Sequence, residues 1–314
     1  MAASPLMRDV FIETFTEAAR RNPNLIFISA DFGAKALDVV REELPRQFLH
    51  PGIAEQSMVD IGAGLAMEGK QVFLYAMGPF ISARCYEQIK SLLVTMNLPI
   101  TLLGVGVGLG YDHATMTHFV LEDLACMRAL PGMEILTPCD GESTREMARF
   151  AIEDPALRYI RLDRQPFPSV YGGRFAESLQ NGVATVAAGE GLAIVTSGNF
   201  VHQAMQAREI LRQEGIDLGV IDLFRIKPMN HKAVLESLAP YSRLITLEEQ
   251  CLDGGFGSAL LECLSDQGRS VAVKRLGVPG LYRAQNGNRA HLHQLYGISL
   301  DDTLCAAREA AKQV

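Results

Sequence analysis

Short apolar runs alternate with helix-like segments along this chain, and the alternation restricts the folds it can adopt. In the first half, strand-like runs occupy residues 25–29, 72–75, 100–105, 134–137 and 157–162. Helix-like segments occupy residues 9–21, 54–68, 80–95, 120–129 and 141–152. A strand that is apolar at nearly every position needs cover on both faces, as in a parallel sheet with helices on each side. The pattern therefore predicts a doubly wound α/β domain.

The periodicity stops at residues 165–181, where prolines and glycines interrupt it, and then restarts. The second series has strand-like runs at 192–196, 218–223, 243–248 and 271–276, and helix-like segments at 201–214, 231–238, 256–266, 289–295 and 300–312. A chain of 314 residues exceeds the usual size of one hydrophobic core. We therefore predict two doubly wound α/β domains, residues 1–172 and 186–314, joined by a linker at 173–185.

Charge and cysteine usage exclude several classes of function. The net charge of −7 and the absence of a lysine- and arginine-rich cluster argue against binding to nucleic acid or an anionic membrane. No run approaches the roughly 18 apolar residues that a membrane-spanning helix needs, and the N-terminus lacks a signal-peptide pattern. The six cysteines are widely spaced, with no CxxC pair or metal-ligand pattern. We expect a cytoplasmic protein with no metal ligands of its own.

Residues 51–59, PGIAEQSMV, place Glu55 in the first turn of an apolar helix that follows a short strand. A carboxylate that exchanges a proton near neutral pH needs a raised pKa, and therefore desolvation. The apolar neighbours could supply it: Ile53, Ala54, Met58, Val59 and Ile61. The positive end of a helix dipole favours the anion, so burial must outweigh it. The pattern also fits a glutamate that only complements the dipole.

A second informative segment is the loop YDHATMTH at residues 111–118, which precedes LEDLACMRALPGM. A loop histidine such as His118 can exchange protons with a carbonyl or hydroxyl near neutral pH. The glycine run at 104–110 lacks the GxGxxG spacing, which argues against a dinucleotide site. The GGFG turn at 254–257 fits either an approaching phosphate or tight helix–sheet packing. His291 and His293 have no such context, and we expect them to be structural or exposed.

Taken together, several segments resemble the C-terminal half of transketolase and its thiamine-diphosphate-dependent relatives. They are GIAEQ-x-MV with GAGLAMEG, TH-x-x-LEDLA-x-MRALPGM, AIVTSG, IDLFRIKP and LDGGFG. The resemblance implies a pyrimidine-binding domain followed by a transketolase-type C-terminal domain. It also implies that Glu55 hydrogen-bonds N1′ of the cofactor aminopyrimidine and promotes deprotonation of the thiazolium carbon. His118 then corresponds to the histidine that contacts substrate oxygens.

The same resemblance implies further site residues. Phe80 would stack on the aminopyrimidine, because an aromatic face suits a flat heterocycle, although a one-residue shift would place Ile81 there. Other residues implied near the cofactor are Arg84, Tyr86 and Asp31, and those implied near the substrate are Arg8, Asp112, His113, His118 and Arg164. Guanidinium groups such as those of Arg8 and Arg164 suit a substrate phosphate. Transketolases carry an aspartate four residues before the histidine, whereas this chain has Ala114, so the usual sugar-phosphate pair is in doubt as its substrates.

One element of the family is missing from the sequence. Thiamine diphosphate is held through Mg²⁺, which needs oxygen ligands that the family supplies from a GDG…N motif, and this chain has no GDG. The resemblance therefore implies a split transketolase in which this chain is the C-terminal-half subunit. Its partner, an alpha subunit, would carry the diphosphate-binding domain in an α2β2 assembly. The reaction would transfer a two-carbon ketol unit from a ketose to an aldehyde. The alternatives are the beta subunit of a 2-oxo acid dehydrogenase, a deoxyxylulose-phosphate-synthase-like enzyme, and a non-catalytic partner subunit.

Overall fold

The structure, a computed structural model, describes residues 4–30, 35–283 and 285–313. The strands, numbered in chain order, are β1 Leu25–Ser29, β2 Phe48–Leu49, β3 Gln71–Met77, β4 Ile100–Val105, β5 Glu134–Leu136, β6 Arg158–Leu162, β7 Ala184–Ala187, β8 Gly191–Thr196, β9 Leu218–Asp222, β10 Arg225–Lys227, β11 Tyr241–Cys251 and β12 Ala272–Val278. The helices are α1 Met7–Ala19, α2 Leu37–Glu43, α3 Glu55–Met67, α4 Gly78–Ile81, α5 Tyr86–Gln88, α6 Asp123–Arg128, α7 Gly141–Glu153, α8 Phe175–Ser178, α9 Phe200–Gln213, α10 His231–Leu238, α11 Phe256–Asp266, α12 Arg289–Tyr296 and α13 Leu300–Ala311.

The strands form two sheets that are mostly parallel. The first has the order β10-β5-β6-β4-β3-β1-β2, and the second has the order β12-β11-β8-β9-β7. Only β10 in the first sheet and β7 in the second run antiparallel to their neighbours among the described strands. Every residue of β1, β4, β6 and β9 is buried, which explains their continuous apolar patterns. The prediction of two doubly wound α/β sheets is confirmed.

Some elements differ from the sequence prediction. Strand β10 lies in the second half of the chain but pairs with β5, so the second half contributes an edge strand to the first sheet. The structure adds β2, which has only two residues, and β7, which begins inside the predicted linker. The helix predicted at 80–95 is broken into α4, α5 and a π-helical segment, Ile89–Val94. Helix α4 ends at Ser82, whose hydroxyl donates to the Gly78 carbonyl at 2.6 Å.

The segment between the two halves is fixed to both. Glu142 of α7 accepts hydrogen bonds from the Ser169 hydroxyl at 2.6 Å and from the Phe175 amide at 3.0 Å. The Tyr171 hydroxyl donates to Asp222 at the end of β9 at 2.5 Å. One cluster of buried apolar residues also includes side chains from both sheets. The two sheets therefore share a packed core as well as a connecting segment.

The topology brings the candidate residues to one edge of the first sheet. Strands β6, β4, β3, β1 and β2 are neighbours and run parallel, so their carboxyl ends lie together. Glu55 follows β2, Phe80 follows β3, His118 follows β4 and Arg164 follows β6. The crevice beyond the carboxyl ends of parallel strands is the usual ligand-binding position in such sheets.

Two further observations concern the cysteines and the helices. All six cysteines are free thiols, and Cys305 is the exposed one. Among the described helices, none combines the length and the apolar character that crossing a bilayer requires.

Candidate active site

The buried carboxylate of Glu55 forms the first part of the candidate site. Glu55 is the first residue of α3 and is 3% exposed, and Arg84 Nη1 donates to its Oε2 at 2.7 Å. Met58 and Val59 are buried as expected, but Ile53 and Ile61 are 71% and 40% exposed. The expectation that these two isoleucines help to desolvate Glu55 is therefore wrong for this chain on its own, because their side chains face outward.

Phe80 and His118 extend the site from Arg84. The Arg84 guanidinium carbon lies 3.9 Å from the centre of the Phe80 ring, and the His118 ring meets Phe80 edge-on at 5.2 Å. Ile81 is fully buried in the apolar core, whereas Phe80 is half-buried. Of the two positions that the sequence left open for the stacking residue, this geometry favours Phe80.

Tyr111, which the sequence analysis did not single out, continues the row. Its ring centre is 5.9 Å from that of His118, and the Arg164 guanidinium lies over it at 4.5 Å. Gly106 has a φ of 80°, and a Cβ there would lie 2.0 Å from the Tyr111 ring. The glycine run therefore gives Tyr111 room beside the end of β4. An aromatic residue directly after that run was the available signal.

Polar and charged groups surround the far side of Tyr111. Arg164 Nη1 approaches His113 Nδ1 at 3.5 Å, and His113 in turn contacts Asp112 Oδ1 at 3.2 Å. Burial acts to raise the pKa of Asp112, but hydrogen bonds from His113 and from the Arg289 amide lower it below its usual value. Arg8 donates to Asp9 at 3.2 Å and lies within electrostatic range of Tyr111. The cationic groups predicted to bind substrate thus gather around one tyrosine.

The remaining predicted residues do not all join this row. Tyr86 is half-buried and packs against the apolar core. Asp31 lies outside the described residues. Thr117 Oγ1 lies 2.9 Å from His118 Nδ1, a hydrogen bond that restrains the imidazole. The structure therefore brings together Glu55, Arg84, Phe80 and His118, with the substrate-side residues beyond Tyr111.

The LEDLA-x-MR segment has mainly a structural role. Asp123 is buried and accepts hydrogen bonds from Arg161 Nε at 2.7 Å and from the Tyr159 hydroxyl at 2.9 Å. Arg128 Nη1 donates to the Gly254 carbonyl at 2.7 Å, across the contact between the two halves. These residues secure the loop that carries His118 to β6 and to the second sheet.

The GGFG turn at 254–257 also has a structural explanation. The amides of Phe256 and Gly257, at the start of α11, donate to the Glu248 carboxylate at 2.6 and 2.8 Å. Burial raises the pKa of Glu248 to about 8, against the opposing effect of these amides. A Cβ at Gly257 would lie 2.8 Å from Glu248 Oε1. The turn is thus packed around an internal carboxylate, which favours the packing alternative over phosphate binding.

No group of three or more His, Cys, Asp or Glu side chains that could hold a metal ion occurs within the described ranges. The described residues do fit the ring end of thiamine diphosphate, because a buried carboxylate lies next to a half-exposed aromatic face. They offer Glu55 for a ring nitrogen and Phe80 for stacking.

Comparison with known proteins identifies the family. Residues 3–169 match the family model described as transketolase, pyrimidine binding domain, and residues 182–302 match transketolase, C-terminal domain. The chain belongs to the transketolase family.

Relatives of similar length are subunits of split enzymes. This transketolase-family chain is 34% identical to a subunit of the apulose-4-phosphate transketolase of Phocaeicola vulgatus, over 98% of this chain and 97% of that protein. A solved structure described as a split gene transketolase, inactive beta4 tetramer, superposes with a TM-score of 0.87 at 28% identity and covers 98% of this chain and 99% of that one. The chain is also 34% identical to the 1-deoxy-D-xylulose-5-phosphate synthase of Syntrophus aciditrophicus over 97% of its own length, but it spans 47% of that enzyme.

Proposed function

We propose that this chain is the C-terminal-half subunit of a split transketolase that transfers a two-carbon ketol unit from a ketose to an aldehyde. The observation that supports the proposal is the continuous row Glu55–Arg84–Phe80–His118–Tyr111–Arg164 at the carboxyl edge of the first sheet. It joins a buried carboxylate at one end to a cationic group at the other. A transketolase subunit of nearly the same length gives the proposal its form.

Thiamine diphosphate, when bound, supplies the carbanion chemistry at its thiazolium carbon. Glu55 holds or releases a proton at N1′ of the aminopyrimidine, and Phe80 provides the stacking face. Arg84 now lies over that face and contacts the same carboxylate. We expect the aminopyrimidine to displace the Arg84 guanidinium from Phe80 when the cofactor binds.

The other end of the row orients the substrate. His118, restrained by Thr117, is placed to donate to or exchange protons with a substrate oxygen. Arg164, Arg8 and His113 surround Tyr111 and suit an anionic group such as a phosphate. Tyr111 separates these cations from the cofactor end and thereby sets the distance between the two parts of the site.

We propose that the partner is an alpha subunit that carries the diphosphate-binding domain and the Mg²⁺ ligands, in an α2β2 assembly. The exposed side chains of Ile53, Ile61 and Met67 lie in or just before α3, close in sequence to Glu55. Their exposure supports an intersubunit contact next to the site, because large apolar groups that cluster on a surface often mark interfaces. A cytoplasmic location remains a prediction.

A deoxyxylulose-phosphate-synthase-like reaction is the second candidate. The equal identity, 34%, to a synthase and to a transketolase subunit keeps it open. The full-length match to the split enzyme's subunit favours transketolase. The 2-oxo acid dehydrogenase and non-catalytic alternatives also remain to be tested.

Reconstitution tests the proposal. A protein with a GDG…N motif, encoded next to this chain, would be purified and mixed with it. Thiamine diphosphate with Mg²⁺ would then be titrated by calorimetry into each chain alone and into the mixture. Two or three missing charge-assisted contacts, at ~1.5–3 kcal/mol each, weaken binding by about 10³-fold or more. We expect binding heat and ketol transfer only in the mixture.

The other outcomes separate the alternatives. Tight, Mg²⁺-dependent binding to the lone chain would contradict the split site. Decarboxylation of a 2-oxo acid without ketol transfer would favour a synthase or dehydrogenase. A stable complex that binds cofactor but turns over none of these substrates would favour a non-catalytic role.

A further inference from the structure

Arg289, at the start of α12, lies at the centre of a buried charged cluster that connects the two halves of the chain. Its Nη1 and Nη2 donate to the two oxygens of Asp163 at 3.0 and 2.7 Å. Its Nε donates to Glu249 Oε1 at 2.7 Å. His293 contacts the same Glu249 carboxylate. Arg289 is only 5% exposed, so water competes little for these bonds.

The backbone of Arg289 makes a further contact with the first half. Its amide donates to Asp112 Oδ2 at 2.9 Å. Asp112 and Asp163 each immediately precede a residue predicted to bind substrate, His113 and Arg164. A single residue of the second half therefore fixes both neighbours, and the two substrate-side residues approach each other at 3.5 Å.

We infer that Arg289 is a positioning residue through which the C-terminal domain holds His113 and Arg164 in place for the substrate. The inference rests on the proposed function, since it assigns the C-terminal domain a part in the same site. Arg289 does not contact the row of residues itself. It acts through Asp112 and Asp163, which it holds by its amide and its guanidinium.

The planar guanidinium is necessary for this arrangement. It bonds two carboxylates at once, each through two nitrogens, whereas a lysine ammonium is a compact charge without that fork geometry. A Cβ at Gly108 would lie 2.0 Å from Glu249, so the glycine run of the first half leaves space for this cluster. Lysine at 289 would keep the positive charge but release at least one of the two aspartates.

The test uses the reconstituted complex with D-xylulose 5-phosphate as donor and D-xylulose as the unphosphorylated comparison. Arg289→Lys should raise the KM for the phosphorylated donor by about 10- to 100-fold, because small displacements of binding groups cost about that much, while kcat stays within about threefold. The matched control is Arg128→Lys, which also weakens a contact between the two halves but does not touch Asp112 or Asp163. It should leave KM within about twofold of wild type.

Several results would overturn the inference. They are an unchanged KM in a folded Arg289→Lys complex, an equal KM rise in Arg128→Lys, or a kcat loss without a KM change. A wild-type complex without ketol transfer would instead remove the proposed function on which the inference depends.

If Arg289→Lys fails to assemble, Asp163→Asn decides the question. It leaves Arg289 paired with Glu249, so the buried charges stay balanced. KM should rise in the same direction, and a KM equal to that of wild type would overturn the inference. Where both variants fold, the double variant should raise KM no further than Arg289→Lys, since both changes break one connection.

Discussion

Replacing Glu55 by Gln tests the centre of the proposed site with little change in shape. The glutamine oxygen can still accept a hydrogen bond from Arg84, which now donates to Glu55 Oε2 at 2.7 Å. The amide cannot hold or release a proton at N1′ of the aminopyrimidine. The substitution therefore removes the proton function and keeps the packing around the start of α3.

The expected effects on activity and stability differ widely. A positioned acid–base group contributes about 10²- to 10⁴-fold in rate, so kcat in the reconstituted complex should fall by at least about 100-fold. The side chain of Arg84 is 42% exposed, so water can replace the lost charge on its partner. An ion pair screened in this way contributes about 0–1 kcal/mol, and the melting temperature should change little.

The assay combines ketol transfer, thermal melting and cofactor titration of the complex. Glu248→Gln is a matched control, because Glu248 is also a buried glutamate at the start of a helix but belongs to the second sheet. It should alter melting and leave kcat within about threefold of wild type, since it contacts neither cofactor nor substrate. A Glu55→Gln complex that retains more than about a tenth of wild-type kcat would refute the proton role assigned to Glu55.

The remaining predictions concern Arg164 and the pH dependence of stability. Arg164→Ala should lower kcat/KM by about 10- to 100-fold for a phosphorylated acceptor and much less for its unphosphorylated form, because one charge-assisted contact is lost; equal losses would show that Arg164 does not touch phosphate. The pKa of Glu248, raised by burial to about 8, means that its contribution to stability is present below about pH 4.5 and is lost as pH rises to 8, by about 1.4 kcal/mol per pH unit. Glu249 has the opposite sign: burial opposes its charge, but Arg289 and His293 lower its pKa to about 2, so its contribution is lost as pH falls from 4.5 to 2. Unfolding midpoints of Glu248→Gln and Glu249→Gln measured from pH 3 to 9 should therefore flatten opposite ends of the wild-type curve, and parallel curves would contradict both assignments.

The strands that could be predicted from the sequence are those whose burial leaves a local pattern. Strands β1, β4 and β6 are buried at every residue, so each appears as an apolar run. Strand β10 has three residues with one buried between two half-buried neighbours, and its partner β5 lies about ninety residues earlier in the chain. No periodicity over three residues can predict such a pairing.

The same difference between local and distant contacts applies to the site. Glu55 and His118 could be predicted because each lies within a run of family-like letters, and both belong to the observed row. Arg289 could not, since its contact with Asp163 joins residues 126 positions apart. Nothing in the polar stretch around it distinguishes Arg289 from Arg283, six residues earlier.

The residues that carry the family resemblance most strongly are not those that select a substrate. Asp123 and Arg128 of the LEDLA-x-MR segment bond to buried strands and to the α11 turn, where the fold tolerates few substitutions. Tyr111, Asp112 and His113 face the substrate side of the site, and they are where this chain departs from the transketolase pattern. A sequence can therefore identify the family through contacts that hold the fold, while the substrate depends on the residues around Tyr111. Substrate screening should begin with variants of that loop.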